Sequence, residues 1–307
     1  MPAESNIQFI PHRLIDKSKW DRCIDNAGNG LIYAYSFYLD IMAQKWDALV
    51  LNDYEIVMPL TCNKKYGIAY LYQPFLTAQL GIFGNGITEK MASTFIQTAA
   101  SRFRFTDISL NAKNSFPSLP GDITMRQNYI LSLNKPYGQL FQEYKENIQR
   151  NIKKSAEQGY SVIKDFDAEK VIELAVMQMK MQGNEPGENI TRFRKLYQLL
   201  HKQQMATTYG IINSAQVLLA SCVFFFSHNR AYYILVGNHP EGKKTGTSHA
   251  LIDAFIKDNA GKNMLLDFEG SDIPGLALFY SGFGATLEKY PALKINRLPF
   301  FLRWLKN

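Results

Sequence analysis

One order of elements occurs twice along the chain, and that repetition limits the fold more than any single motif. In the first half an apolar strand at 7–10 and helical patterns at 17–26 and 36–43 precede strand signals at 48–51, 55–60 and 68–72, separated by polar turns. A loop with Pro74, Gly81, Gly84 and Gly86 then leads to a helix at 88–103 and a strand at 107–110. In the second half helical patterns at 168–182 and 190–204 precede strands at 207–212, 216–226 and 231–237, a glycine-bearing loop, a helix at 245–259 and a strand at 264–269. The residues differ between the halves; only the order repeats. Three antiparallel strands, a crossover helix and a strand parallel to the third make a mixed α/β sheet, and two copies read as a duplication.

The length suits that arrangement, since 307 residues accommodate two domains of about 150 each. The boundary is expected at 134/135, giving a first copy over 1–134 and a second over 135–307 that opens with a long helix at 137–158, proline-primed at Pro136 and ending at Gly159. The longest apolar stretch, 217–226, falls short of the roughly 20 residues a membrane span requires and reads as a buried strand. The first residues lack the basic and apolar regions of a secretory signal, so a cytoplasmic location is expected. Cys23, Cys62 and Cys222 form neither a disulfide framework nor a metal knuckle and read as free thiols. The five histidines, His12, His201, His228, His239 and His249, have no metal-ligand spacing, so no metal is expected. The chain has no phosphate-binding P-loop and no nucleophile elbow, which removes the common nucleotide triphosphatases and serine hydrolases.

Of the net charge of +7, most lies in the second half: residues 1–134 carry 12 Lys/Arg against 11 Asp/Glu, and residues 135–307 carry 22 against 16. A phosphate-bearing partner is therefore expected there. The loop 237–248 contains Gly237, Gly242 and Gly246 beside Lys243 and Lys244, and runs into a helix whose core face is Leu251, Ile252, Phe255 and Ile256. Free N–H groups at a helix start attract an anion, so Val236, Gly237, Lys243, Lys244, Gly246 and Thr247 are the candidate cofactor-binding residues; an ordinary capped loop with solvated lysines is the alternative. On the next strand Asp267 and Glu269 would project to one face about 7 Å apart. Burying two acids is costly without a partner or a task, and one task is to take the proton of an attacking amine. Tyr280 is a candidate proton donor, and Ser271 and Ser281 are nearby hydroxyls. Arg150, Lys153 and Lys154 share one face of the helix at 137–158, where they would clamp a phosphate or remain solvated. The tail 294–307 is expected to close the sheet rather than to lie on a membrane.

The run Asp267-Phe268-Glu269-Gly270-Ser271, followed by Phe279-Tyr280-Ser281-Gly282-Phe283-Gly284, resembles the signature closing the second GNAT-like domain of Fem-type peptidoglycan bridge aminoacyltransferases and their acetyltransferase-like bacterial relatives. The basic helix around Arg150–Lys154 and the segment Tyr70–Thr77 with Gln79-Leu80-Gly81 are similar to further parts of those proteins. The resemblance implies tandem GNAT-like (N-acyltransferase) domains. It also implies transfer of an activated group from acyl-CoA or an aminoacyl-tRNA to an amine, such as a small molecule or a cell-wall precursor. Arg150, Lys154, Gln73, Ser271, Phe279 and Phe283 then stand as candidate substrate contacts. The chain departs from the family in two places. Gly242 and Gly246 have three residues between them instead of following the Arg/Gln-x-x-Gly-x-Gly/Ala pattern of coenzyme A loops, and no long heptad arm is present. A non-catalytic binding protein on the same fold is the competing expectation.

Overall fold

Short apolar runs bounded by turn residues become strands, and amphipathic stretches become the helices that cover them. The computed structural model describes residues 7–270 and 272–299. In chain order its elements are β1 (Ile7–Ile10), α1 (Lys17–Asn26), α2 (Ser36–Met42), β2 (Trp46–Leu51), β3 (Ile56–Lys65), β4 (Ile68–Leu71), β5 (Phe83–Gly84), α3 (Glu89–Arg102), β6 (Phe105–Ser109), β7 (Asp122–Ser132), α4 (Tyr137–Gln142) and α5 (Glu146–Glu157). They continue with β8 (Ser161–Lys164), α6 (Ala168–Met181), α7 (Glu188–Lys202), β9 (Ala206–Ile212), β10 (Leu218–Ser227), β11 (Arg230–Asn238), α8 (Pro240–Thr245), α9 (Thr247–Asn259), β12 (Leu265–Asp267), α10 (Pro274–Ser281) and β13 (Thr286–Asn296). Capping side chains set several helix starts: Asp16 accepts from the Lys19 amide, Thr88 from Met91 and Asp167 from Glu169. Among the described residues no helix is long and apolar enough to cross a membrane.

The chain forms two compact units. Unit 1 comprises the residues up to Arg126 together with those from Lys289 onward; unit 2 is Gln127–Glu288. The expected boundary at 134/135 falls after β7, whereas the chain changes unit within that strand and returns within β13. No strand is expected from sequence over 122–132, so the strand that carries the change of unit is absent there. In unit 1, β1, β2, β3 and β4 pair antiparallel in turn, β4 runs parallel to β6, and Ala292–Asn296 of β13 pair antiparallel with β6. The crossover helix α3 buries Phe95 and Ile96 in a core with Leu49, Met58 and Leu60. The expected role of the tail in closing a sheet is seen as far as β13; Phe300, Phe301, Arg303, Trp304 and Lys306 lie outside the described residues.

Unit 2 repeats the scheme. Strands β8 to β11 pair antiparallel in turn, β11 runs parallel to β12, and β12 pairs antiparallel with β7. The crossover helix α9 buries the face read from sequence, Leu251, Ile252, Phe255 and Ile256, against Tyr209 and Phe224. The Phe224 and Phe255 rings stack with centroids 3.7 Å apart. At roughly 1.5–3 kcal/mol per buried large apolar side chain, this face outweighs any local propensity in fixing the helix.

The expected single helix over 137–158 is two helices. Lys145 is extended (φ −63°, ψ 150°) and its amide donates to the Gly282 carbonyl at 2.8 Å. Beside the break the buried Tyr144 donates its hydroxyl to Asp253 at 3.1 Å, so packing overrides the helical pattern there.

Candidate functional site

The length difference between two paired strands opens the site. β12 pairs with β11 only over Leu265–Asp267 opposite Arg230–Tyr232, while β11 continues to Asn238. From Tyr233 onward, no strand of the described residues pairs with that edge of β11. A cavity of about 290 Å³ lies here, walled by Tyr233, Val236 and Asn238 of β11, by Gln178 of α6, by α8 and the first turn of α9, and by Leu276, Phe279 and Tyr280 of α10.

Hydrogen bonds hold the walls in place. The Asn238 amide donates to Gln178 Oε1 at 2.8 Å, and Ser248 Oγ donates to Asn238 Oδ1 at 2.6 Å. Gly246 adopts a left-handed conformation (φ +77°) between α8 and α9, and a Cβ there would lie 2.4 Å from the Asn151 carbonyl oxygen, so α5 runs close beneath this turn. Lys154 of α5 donates to the Lys244 carbonyl at 2.9 Å at the end of α8. Thr247, the first residue of α9, is fully buried, and its Oγ1 has no hydrogen-bond partner.

The acids behave differently from the expectation. β12 ends at Asp267, and Glu269 is left-handed (φ +65°), so the two carboxylates do not alternate along one strand face. Asp267 is 2% exposed and lies 2.5 Å from Arg230 Nη1, while its other oxygen accepts from the Glu269 amide at 2.9 Å. Arg230 also reaches Glu288 at 3.3 Å. Burial alone would pull the Arg230 guanidinium down, but the charges of Asp267 and Glu288 outweigh it and hold the group above its usual value. Asp267 is thus half of a buried ion pair. Glu269 is not among the residues lining the cavity, but its charge adds to the larger effect of burial in raising the Tyr280 phenol well above the usual tyrosine range. Tyr280 lines the cavity, stacks on Phe268 at 4.5 Å and stays protonated, so its hydroxyl is a donor.

The remaining sequence candidates separate. Val236, Lys243, Gly246 and Phe279 line the cavity beside Tyr280. Gly237 does not; a Cβ there would lie 2.7 Å from the Ala175 amide nitrogen, so its lack of a side chain lets α6 pack against β11. Phe283 is fully buried in the core of unit 2, with its ring 5.2 Å from Tyr144. Lys244 and Arg150 are exposed outside the cavity wall. Gln73 lies in unit 1, where Nε2 donates to the Thr77 carbonyl and Oε1 accepts from the Ser109 amide, pinning a loop. Ser271 lies outside the described residues. Sequence reading misses Arg230, Glu288, Gln178, Asn238 and His249. The first two become visible only through strand register. His249 has a sequence signal, its place in the first turn of α9 at the edge of the core stripe, three and seven residues before Ile252 and Ile256.

His249 lies half-buried in the cavity wall with its ring edge-on to Phe279 at 4.8 Å, and its Nδ1 is buried without a hydrogen-bond partner. Burial lowers its pKa to about 4. The imidazole is therefore neutral at pH 7.

Solved structures of other proteins share the fold that holds this cavity. A structure of FemX superposes with a TM-score of 0.65 over 97% of this chain and 99% of that one. The chain shares its fold with FemX. Sequence identity is 12%, so the likeness concerns architecture. A conserved protein of unknown function from Bacteroides thetaiotaomicron VPI-5482 gives a TM-score of 0.60 at 12% identity, covering 94% of this chain and 99% of that one. The L-PGS of Bacillus licheniformis gives 0.55 at 10% identity, covering 94% and 95%. No family model matches the sequence, and no curated protein matches it. The duplicated mixed α/β fold that the sequence resemblance implies is the fold of the chain, and it is shared with FemX over 97% of its length.

Proposed function

We propose that the chain moves an activated acyl or aminoacyl group from acyl-CoA or an aminoacyl-tRNA onto an amine in the cavity of unit 2. The observation that carries this reading is the unpaired edge of β11 beside the first turn of α9. It joins main-chain donors able to hold an acyl oxygen to a helix start able to hold a phosphate, and both donor classes carry phosphate. Lys243 at the rim adds positive charge.

In the transfer step the acceptor nitrogen attacks the acyl carbon and a C–N bond forms, while the C–S bond of a thioester or the C–O bond of an ester breaks. Glu269 takes the surplus proton of the amine, directly or through water, and Tyr280 gives a proton to the departing thiolate or alkoxide. Asp267 is a positioning residue: paired with Arg230, it accepts the Glu269 amide and so fixes the backbone that presents Glu269. Arg150 and Lys154 on α5 provide exposed positive charge for a phosphate-bearing acceptor such as a cell-envelope precursor.

The engagement of Asp267 favours a second reading, in which the chain binds such a ligand without turning it over. Incubating the protein with acetyl-CoA or with aminoacyl-tRNA and a panel of amines, followed by mass spectrometry, separates the two. An amide product supports transfer; saturable donor binding with no product from any pair supports the binding protein.

A further inference from the structure

His249 plays no part in the transfer step above, yet it occupies the cavity wall with a buried nitrogen that nothing in the described structure satisfies. A buried polar atom without a partner is costly to maintain, and a ligand group that completes it recovers that cost on binding. We propose that His249 selects the ligand of this cavity by hydrogen bonding through Nδ1 to an uncharged amide or hydroxyl group. The inference rests on the reading that this cavity is the binding site.

Charge decides against the other ligand groups. Burial keeps the imidazole neutral, so it offers a carboxylate or phosphate no charge. An ammonium would sit against the Phe279 ring with Lys243 on the same wall. The other titratable groups lining the cavity, Tyr233 and Tyr280, are phenols held protonated by burial; Glu269, whose charge reaches Tyr280, is not among the lining residues, so no anion lines the wall beside His249. An amide or hydroxyl needs no such compensation. It also supplies either a donor or an acceptor, whichever the imidazole tautomer requires. Thr247 Oγ1, two residues earlier and also unpartnered, places a second orphaned polar atom on the same turn. Two sources provide this chemistry: the amides of a pantetheine arm and the ribose hydroxyls of a nucleoside.

The test uses the full chain labelled with ¹⁵N-histidine, with the His249 signals assigned from the H249N variant, titrated with pantetheine and separately with adenosine. One of the two is expected to shift the Nδ1 resonance. For that probe H249F, which keeps a ring but no nitrogen, should bind about tenfold more weakly, while H249N, whose amide sits near the Nδ1 position, should stay within about threefold. A shift with pantetheine identifies the amide source and a shift with adenosine the hydroxyl source. If neither probe moves the His249 nitrogens, or if H249F binds the probe as tightly as the wild type, the inference is overturned; the wild-type titration decides even if H249F fails to fold. Probe binding at His249 without product from any donor removes the transfer reading alone, whereas amide formation that is unchanged in H249F removes this inference alone.

Discussion

The two units share an order of strands and differ in the segment that comes after the fourth strand of the antiparallel run, β4 in unit 1 and β11 in unit 2. In unit 1 the loop after β4 is tied down. Gln73 bonds Thr77 and Ser109, Gln79 Oε1 accepts from the Ala112 amide, and Leu80 forms a parallel bridge with Leu110. In unit 2 the segment after β11 forms the short helix α8 and turns into α9, leaving the β11 edge and a cavity of about 290 Å³. One topology thus carries a tied-down loop in one copy and a cavity in the other. At this place in the chain side-chain amides satisfy the backbone in unit 1, whereas in unit 2 the turn into α9 carries two buried polar atoms without partners, Thr247 Oγ1 and His249 Nδ1.

The contrast is most vulnerable at Asp267. Replacing it with asparagine leaves the buried Arg230 charge short of a partner, and such a loss costs about 3–5 kcal/mol. Thermal unfolding of D267N should fall by roughly 10 °C, and an unchanged melting temperature would remove the ion-pair account. Glu269→Gln separates the two acids: its stability should match the wild type while turnover drops about 100-fold, as for loss of a general base. Equal turnover in E269Q and the wild type would take the proton-transfer role away from Glu269.

Gln73→Ala tests the tied-down side. Loss of its two hydrogen bonds should cost about 1–2 kcal/mol in denaturant unfolding and leave turnover intact. A large loss of activity in Q73A would place unit 1 in the chemistry. A pH slope tests the open side. His249 has its pKa lowered in the folded state from 6.5 to about 4, so the unfolded chain binds more protons between those values. Its contribution is present above the unfolded value and is lost as pH falls toward 4. Denaturant midpoints of H249F from pH 7 to pH 4 should therefore decline less than those of the wild type, and parallel curves would contradict the buried neutral imidazole.

Much of this is legible in the sequence, for identifiable reasons. Apolar strands between polar turns and the Leu251–Ile256 stripe are local patterns, and both the crossover order and the face of α9 derive from them. Tyr280, Val236, Lys243 and Gly246 can be found because a loop running into a helix and the later aromatic run are each contiguous in sequence. The misplaced features depend on partners distant in the chain. Asp267 reads as a base because Arg230, 37 residues earlier, is invisible without the β11–β12 register. Glu269 reads as a strand residue, a geometry that its left-handed backbone does not have. Gly237 reads as an anion contact because the close approach of α6 cannot be inferred from its own neighbours. β7 and β13 are absent from the sequence reading; their outer stretches are largely exposed, and each pairs with a strand far away in the chain.

If acyl transfer occurs where β11 outruns β12, filling that space should stop it. Ser248→Trp would place an indole in the cavity wall without touching Glu269 or the Arg230 ion pair. Amide formation should be measured in the wild type and in S248W with acetyl-CoA and with aminoacyl-tRNA as donors. Product is expected from the wild type with one donor class, with at least a roughly 100-fold loss in the filled variant. Undiminished product from S248W, or no product from the wild type with either donor, would contradict transfer in this cavity.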